Sequence, residues 1–487
     1  MNRLLPLIAF VFSLMCLGVQ GQNNAPVRVM TLGEVLDLAE NQSSASKQAE
    51  TRRKNRYWEY RLHRSNYNPQ MVLSGNIPGY NRDYLSNRLD DGTILYQGRE
   101  QLNSGLNLGL QQPIPWTGGN VSINSNLHYF SDLNRDLTRY NSTLFNIELQ
   151  QPLFGFNQLK WDKRTEPLRY EESRRSYVEE MEFISRQAVN YFFDYLDAQI
   201  NFRIANFNLQ NNDTIYKIEM GRFNIGTTSE DKLLQVELQL LRSQQDVTQA
   251  RLDLRNAGQT IRAYLGIDVD SLDLVLPDDI PEFSIPIEEA LTYAKMNRAD
   301  YLAFERRRIE ADRQIANARA QRFQANIVAS YGLNTASEDF SEAYSQSNDQ
   351  QRIDVGLVVP ILDWGRNRAR METALANKEL TDYVIEQDIR NFEQEIMNLV
   401  RQFEVLRQQV DIARQSNLVA QKRYEVAQNR YLTGKVDITN LNIALTEKDN
   451  AQRSYIRSLR DFWTAYFDLR RLTLYDFDHN ELLYQPD

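Results

Sequence analysis

Two stretches of this chain are too long and too regular to be parts of an ordinary globular domain. From Phe156 to Met220 run 65 residues with no glycine and one proline, Pro167; from Arg366 to Thr433 run 68 residues with neither. As helices each would extend about 100 Å at roughly 1.5 Å per residue, several times the average globular helix. In the second stretch Ile389, Phe392, Ile396, Leu399, Phe403, Leu406, Val410 and Ala413 are spaced alternately by three and four residues, and the series runs on through Asn417, Ala420, Tyr424, Ala427 and Tyr431. Such a heptad seam implies left-handed supercoiling. The same seam stands 208 residues earlier as Met181, Ile184, Ala188, Tyr191, Tyr195, Ala198, Phe202, Ala205 and Leu209. Partner seams follow the turns: Ile438, Leu441 and Leu445, then Tyr455, Leu459, Phe462, Tyr466 and Leu469. Each half of the chain is therefore read as ending in a long antiparallel helical hairpin, with no compact core able to enclose it.

The duplication extends beyond the helices. Thr31-Leu32-Gly33-Glu34-Val35-Leu36-Asp37-Leu38-Ala39 resembles Pro286-Ile287-Glu288-Glu289-Ala290-Leu291-Thr292-Tyr293-Ala294, an offset of 255. Gln151-Pro152-Leu153-Phe154 resembles Val359-Pro360-Ile361-Leu362, and Arg222-Phe223-Asn224-Ile225-Gly226 resembles Arg430-Tyr431-Leu432-Thr433-Gly434, both at 208. The two offsets differ by 47 residues, so the first half carries 47 extra residues between about 74 and 150. Pro277, Pro281 and Pro286 mark a linker at 268–286. The first repeat (22–267) is expected as helix 31–69, strands near 70–80, 103–114, 119–130 and 142–153, long helix 156–221 and helix 229–265. The second (287–475) is expected as helix 287–323, strands near 325–334 and 351–361, long helix 365–432 and helix 436–472, with a tail at 476–487.

The strand segments alternate. Ser104, Leu106, Leu108, Leu110, Gln112 and Ile114 interleave with Asn103, Gly105, Asn107, Gly109 and Gln111. Thr143, Phe145, Ile147 and Leu149 alternate in the same way, as do Ile353, Val355, Leu357, Val359 and Ile361. Segments of about ten residues with one apolar face fit transmembrane barrel strands, and equally a soluble antiparallel sheet with one wet face. Residues 1–21 read as a signal peptide, with Arg3, an apolar run from Leu4 to Val19, and Val19 and Gly21 before the cut. That segment, with the polar stretches 81–100, 131–141 and 336–350 read as loops, tilts the reading toward the barrel. Cys16 is the only cysteine. Lipidation there is weighed down by Leu14 and Met15, and cleavage after Gly21 leaves no cysteine for disulfides, zinc or thiol chemistry.

Charge and composition exclude other classes. Lys and Arg total 56 against 65 Asp and Glu, a net −9, which argues against a nucleic-acid surface. Past the N-terminus no apolar run approaches the roughly 20 residues of a spanning helix. His63, His128 and His479 share no ligand or triad spacing, and no phosphate loop is present, so neither enzyme nor cofactor nor metal site is expected.

The repeated helix–strand–strand–helix halves, the junctions Pro152-Leu153-Phe154 and Pro360-Ile361-Leu362-Asp363-Trp364-Gly365, and the two Arg-(Phe/Tyr)-x-x-Gly turns resemble the TolC family of outer-membrane efflux ducts. The resemblance covers nearly the whole mature chain. It implies a membrane α+β fold: a homotrimer sharing one transmembrane β-barrel, continuous with a long α-helical coiled-coil barrel in the periplasm. Four to six strands per chain cannot close a barrel, whereas three chains would give about 12 or about 18 strands. The family also implies an exit duct for efflux or type I secretion, set in outer-membrane lipid and coupled through a periplasmic adaptor (membrane fusion protein) to an inner-membrane pump. The alternative is a periplasm-spanning tether without an open channel.

By the same resemblance, Arg222, Phe223, Gly226, Arg430, Tyr431 and Gly434 form the adaptor-docking turns, and Pro152, Phe154, Pro360, Asp363 and Gly365 the strand-to-helix junctions. The glycines suit left-handed helix ends, and Thr227, Thr228 and Ser229 offer capping oxygens to the next helix. The aspartate rings of some relatives are not carried over, since Asn440, Ile443 and Lys232 occupy the matching positions. Glu230, Asp231 and Asp437 form a possible acidic entrance, or are solvated cap residues. Gln112-Pro113-Ile114-Pro115-Trp116-Thr117-Gly118-Gly119 resembles the junction motif itself and is read as part of an added hairpin. That hairpin widens the barrel, covers its mouth or lies outside it.

Overall fold

The computed structural model describes residues 28–269, 272–277, 279–345 and 347–485. The expected signal peptide at 1–21, with Cys16, lies outside the described residues. In chain order the elements are β1 (Arg28–Met30), α1 (Leu32–Gln42), α2 (Ser44–Ser65), β2 (Gln70–Asn76), β3 (Tyr80–Arg88), β4 (Ile94–Ile114), β5 (Gly119–Asp132), β6 (Leu137–Leu153), α3 (Gln158–Asn224) and α4 (Glu230–Leu265). Then come β7 (Leu272–Leu274), α5 (Ile287–Asn297), α6 (Ala299–Ala320), β8 (Gln324–Ser337), a short 3-10 turn (Glu342–Tyr344), β9 (Asn348–Val358), α7 (Arg366–Leu432), α8 (Ile438–Thr473), β10 (Tyr475–Asp476) and β11 (Glu481–Leu482).

The helices pair in length. α1 and α5 have 11 residues each, and α2 and α6 have 22. α3 and α7 have 67, and α4 and α8 have 36. The expected single helices 31–69 and 287–323 are each two helices. Ser43 (φ −61°, ψ 151°) and Arg298 (φ −74°, ψ 145°) are extended and interrupt the ladder at positions 255 residues apart. Neither break carries a glycine or proline. Arg298 is held where it stands by Asp300 at 2.9 Å and by the Phe392 ring at 4.4 Å.

The chain divides into two units. One comprises the described residues up to Ser44, with 185–280 and 410–463. Here the seam residues Ala188, Tyr195, Ala198 and Ala205 are buried, as are Val410, Tyr424, Tyr431, Ile438, Leu441, Leu445, Tyr455, Leu459 and Phe462. The expected linker 268–286 contains β7, which pairs in parallel with β1. Its carbonyls are claimed by the helices: the Tyr195 hydroxyl donates to Leu272 O at 2.6 Å, and Gln199 Nε2 to Leu274 O at 3.0 Å.

The other unit comprises 45–184, 281–409 and the described residues from 464. It holds a seven-stranded antiparallel sheet in the order β2-β4-β5-β6-β8-β9, with β3 also paired to β4. The segment 81–100 is not a loop. It forms β3 and the start of β4, a hairpin whose strands are polar on both faces and so escape the alternation rule. Cross-strand bonds hold it, including Tyr80 Oη to Glu100 at 2.7 Å and Arg99 Nε to Asp83 at 2.8 Å. The loops read at 131–141 and 336–350 shrink to 133–136 and 338–347, and β9 ends at Val358, short of the expected 361. The tail contains β10 and β11, anchored by buried Asp476, which accepts from Arg470 Nη1 at 2.9 Å and from the Tyr466 hydroxyl at 3.0 Å.

Candidate functional site

The sheet sorts its side chains by strand register. Partners place Met71 and Leu73 of β2 level with Leu110 and Leu108 of β4. Leu106 and Leu110 stand opposite Leu127 and Ile123 of β5, and Ile123 and Val121 opposite Ile147 and Leu149 of β6. Those two meet Tyr331 and Ala329 of β8, and Ala329, Ile327 and Ala325 meet Ile353, Val355 and Leu357 of β9. One face is thus largely apolar across β2, β4, β5, β6, β8 and β9. The other carries Gln70, Ser74, Asn107, Gln111, Ser122, Asn124, Asn146, Glu148, Ser330 and Arg352.

The apolar face is the open one. Leu106, Leu108, Ile123, Ile147 and Tyr331 are 39–46% exposed. Opposite, Ser122 is buried and Asn107, Asn124, Asn146, Glu148 and Ser330 are half-buried. A sheet in water does the reverse, because apolar area gains by leaving water. This arrangement is stable where the outer solvent is hydrocarbon and the lumen polar. Aromatic rings mark both ends. Tyr129 and Tyr140 lie 5.2 Å apart with Phe340 5.7 Å beyond, and at the helix end Phe154 sits 5.4 Å from Phe323. Among the described residues no helix is long and apolar enough to cross a membrane.

At the junctions the chain reverses character within a few residues. Pro152 is still in β6, paired with Asn326. Phe154 (φ 61°), Trp364 (φ 52°) and Gly365 (φ 84°) take left-handed backbone. Asp363 accepts from Gly365 N at 3.0 Å and Asn367 N at 3.1 Å, and these backbone bonds to the start of α7 hold its carboxyl below the usual range. Pro360 follows β9 in an exposed stretch. The junction-like segment 112–119 is the end of β4, a turn at 115–118 and the first residue of β5. It copies one junction detail: Gln112 and Gln151 each donate to the carbonyl of the proline that follows, at 2.7 and 2.8 Å.

Both helical turns close in the same way. Gly226 N donates to Phe223 O at 2.9 Å and Thr227 N to Arg222 O at 2.8 Å; Gly434 N donates to Tyr431 O at 2.9 Å and Lys435 N to Arg430 O at 2.8 Å. With Gly226 at φ 75° and Gly434 at φ 71°, these are paired Schellman motifs. The capping expected from 227–229 differs. Thr227 Oγ1 donates back to Arg222 O at 3.0 Å, and Ser229 stands at the N-cap without a side-chain bond. In the second half the cap is Asp437, whose Oδ1 accepts from Asn440 N at 2.9 Å. Glu230 and Asp231 are exposed in the first turn of α4, where the helix dipole favours carboxylates.

The structure brings Arg222 and Tyr431 together and leaves Phe223 and Arg430 exposed. What joins them is a residue that sequence reasoning missed. Glu219 accepts from the Tyr431 hydroxyl at 2.6 Å and from Arg222 Nη1 at 2.7 Å, and the Arg222 guanidinium lies 5.4 Å over the Tyr431 ring. Burial works against the charged form of Glu219; the bonds from Tyr431 and Arg222 outweigh it and hold its pKa below the ordinary value. Tyr431 also packs in an apolar cluster with Ile215, Val236, Tyr424, Ile438 and Leu441, so α3, α4, α7 and α8 converge at the turns. The available signal was Glu219 three residues before Arg222, on one helix face.

Comparison with known proteins agrees with this layout. The family model "outer membrane efflux protein" matches residues 35–267 and 291–473. "Cation efflux system protein CusC" of Escherichia coli (strain K12) is 24% identical over 261 residues, 53% of this chain and 56% of that one. The chain thus spans about half the length of the curated relatives it matches. Among solved structures, the Campylobacter jejuni CmeC outer membrane channel superposes with a TM-score of 0.65 at 17% identity, covering 92% of this chain and 87% of that one. A membrane protein from Pseudomonas aeruginosa gives 0.64 at 16% identity, covering 93% and 92%. At such identities the likeness is one of fold.

Proposed function

The chain belongs to the outer membrane efflux protein family and is an outer-membrane protein, and on that footing we propose that it is the passive exit duct of a tripartite efflux or type I secretion system. Three copies close one barrel in the lipid, and their helices form the periplasmic tunnel. The observation that carries this reading is the sheet whose apolar face is open and whose polar face, in the central strands, is buried or half-buried. It is joined in one chain to helices of 67 residues that end in twin glycine turns. The duct needs no chemistry from this chain, because the driving energy belongs to the inner-membrane pump.

The turns carrying Arg222, Phe223, Gly226, Arg430, Tyr431 and Gly434 are the docking point for the adaptor. Glu219 fixes their spacing by tying one to the other. In three copies Glu230, Asp231 and Asp437 gather nine carboxylates near the turns, an arrangement that favours entering cations. Purified full-length protein in a planar bilayer should show single-channel conductance with cation preference in a salt gradient. A silent bilayer would favour the tether, and conductance without cation preference would remove the acidic entrance while keeping the duct.

A further inference from the structure

We propose that the hairpin of β4 and β5, which the second half of the chain lacks, is barrel wall, so that the trimer closes an eighteen-stranded barrel. The proposal rests on the trimeric duct reading and adds to it the width of the exit.

Seven strands occupy six positions. β2 pairs with residues 105–111 of β4 and β3 with residues 94–102, so β2 and β3 lie end to end along the same side of that strand. The order across the sheet is then β2/β3, β4, β5, β6, β8, β9. The hairpin is not laid over the other strands. It separates β2 from β6, using one edge of β4 for β2 and one edge of β5 for β6. Its leucines and isoleucine continue the apolar face, interrupted at Ser125 opposite Leu108 and at Gln112 opposite Val121, and its asparagines continue the polar one. A plug or external flap has no reason to keep both faces in register with the wall.

The parity also fits closure. Five successive antiparallel pairings separate β2 from β9, so the two edge strands run in opposite directions. β9 of one copy can therefore pair with β2 of the next by the same antiparallel ladder. Both edges need a partner, since unpaired backbone amides are not tolerated in hydrocarbon. Their apolar side chains are also widely open: Met71 and Leu73 are 67–68% exposed, and Ile353 and Val355 are 68–78%.

Register supplies an independent check. Following partners across the sheet, Gln70 stands level with Gln111, Ser122, Glu148, Ser330 and Arg352. Gln70 opens β2 just after α2, while the matching end of β9, next to α7, is Val358, six residues beyond Arg352. A stagger of about six residues at roughly 3.3 Å, over about six strand spacings of roughly 4.8 Å, gives a strand tilt of about 35°. That lies at the edge of the range of about 35–45° that closed barrels adopt. Relative to four strands per copy, the diameter grows about 1.5-fold and the cross-section roughly twofold.

The test uses the full chain purified in detergent, with strand count and symmetry read by cryo-electron microscopy. A second measurement pairs Val355→Cys in β9 with single cysteines placed in turn from Gln70 to Asn76. Threefold particles with eighteen strands, and disulfide-linked dimers and trimers at one or two β2 positions, are expected. Threefold particles with twelve strands, or a disulfide within one chain between Leu73→Cys and Leu149→Cys, which share the apolar face, would show β2 against β6 and overturn the proposal while leaving the duct intact. Intact trimers with no β2–β9 link at any position would overturn it as well. A particle with the mass of one chain would overturn the duct reading itself.

Discussion

Tyr431→Phe is the perturbation that most directly questions how the two helical turns are held. It removes one oxygen and keeps the ring, so the packing of the cluster around Ile215, Val236 and Leu441 is retained. The hydroxyl donates at 2.6 Å to a carboxylate whose side chain is 6% exposed. A hydrogen bond to a charged group contributes about 1.5–3 kcal/mol. Glu219 keeps Arg222 at 2.7 Å, so no charge is stranded and the lower part of that range, about 1.5–2 kcal/mol, applies. Glu219→Ala is harsher, because it leaves the Tyr431 hydroxyl buried without its acceptor, at about 2–4 kcal/mol.

Hydrogen exchange in lipid nanodiscs reads this without requiring reversible unfolding, since local opening is governed by local free energy. The amides of Gly226, Thr227, Gly434 and Lys435 close the two turns. In Tyr431→Phe they should exchange about 10–30 times faster, at tenfold per 1.4 kcal/mol. The amide of Gly266, bonded to Arg262 O at the far end of α4, should keep its rate. In a Glu219→Ala background Tyr431→Phe should add almost nothing, because the acceptor is already gone. A change below about twofold, or an undiminished effect in that background, would refute the idea that this carboxylate ties the turns.

Acid should loosen the same turns. Glu219, which ties them, has a folded pKa below its ordinary value, as does Asp476 in the C-terminal tail. Their stabilisation is therefore full above the unfolded carboxylate pKa of about 4 and is lost as pH falls through the folded values; protection factors should be flat from pH 7 to 5 and drop below about pH 4. Gly434→Val meets no atom within 4 Å of its added Cβ, so its cost is backbone strain at φ 71°, about 1–2 kcal/mol. Exchange at Lys435 should rise about 5- to 30-fold and adaptor-dependent export should fall, whereas unchanged export would move docking elsewhere. Leu108→Lys on the apolar face should cost about 2–4 kcal/mol of insertion, while Asn107→Lys on the polar face should be tolerated; equal yields of folded protein in liposomes would contradict the face assignment. Arg470→Met removes the guanidinium that lies 2.9 Å from both Glu182 and buried Asp476, a loss of about 3–5 kcal/mol, and limited proteolysis should then release the segment after Thr473.

Which parts of the fold could be read in advance follows from how local each signal is. The long helices were legible because every turn repeats the same demand, and their seam residues Phe392, Ile396, Phe403 and Val410 are buried as the spacing requires. The breaks at Ser43 and Arg298 were not, because one extended residue between two helices leaves composition unchanged. Their shared offset was the only trace, and it becomes visible only when both are known. β3 escaped for the opposite reason. A hairpin polar on both faces is specified by cross-strand partners such as Asp83 and Arg99, and partners are not periodic.

The same reasoning explains the site. Searching a duplicated chain for what the copies share finds Arg222 with Arg430 and Gly226 with Gly434, and these prove to be turn-formers. The residue that links the turns is one the copies do not share: Glu219 corresponds to Ala427, which packs against the apolar cluster instead. A tie between two similar halves has to be asymmetric in this way. A carboxylate at position 427 would have Arg430 three residues on but would meet Phe223 where Glu219 meets Tyr431, and it would be pressed into the apolar cluster with no hydroxyl to donate to it. Ala427→Glu should therefore destabilise the turns even though it restores the repeat.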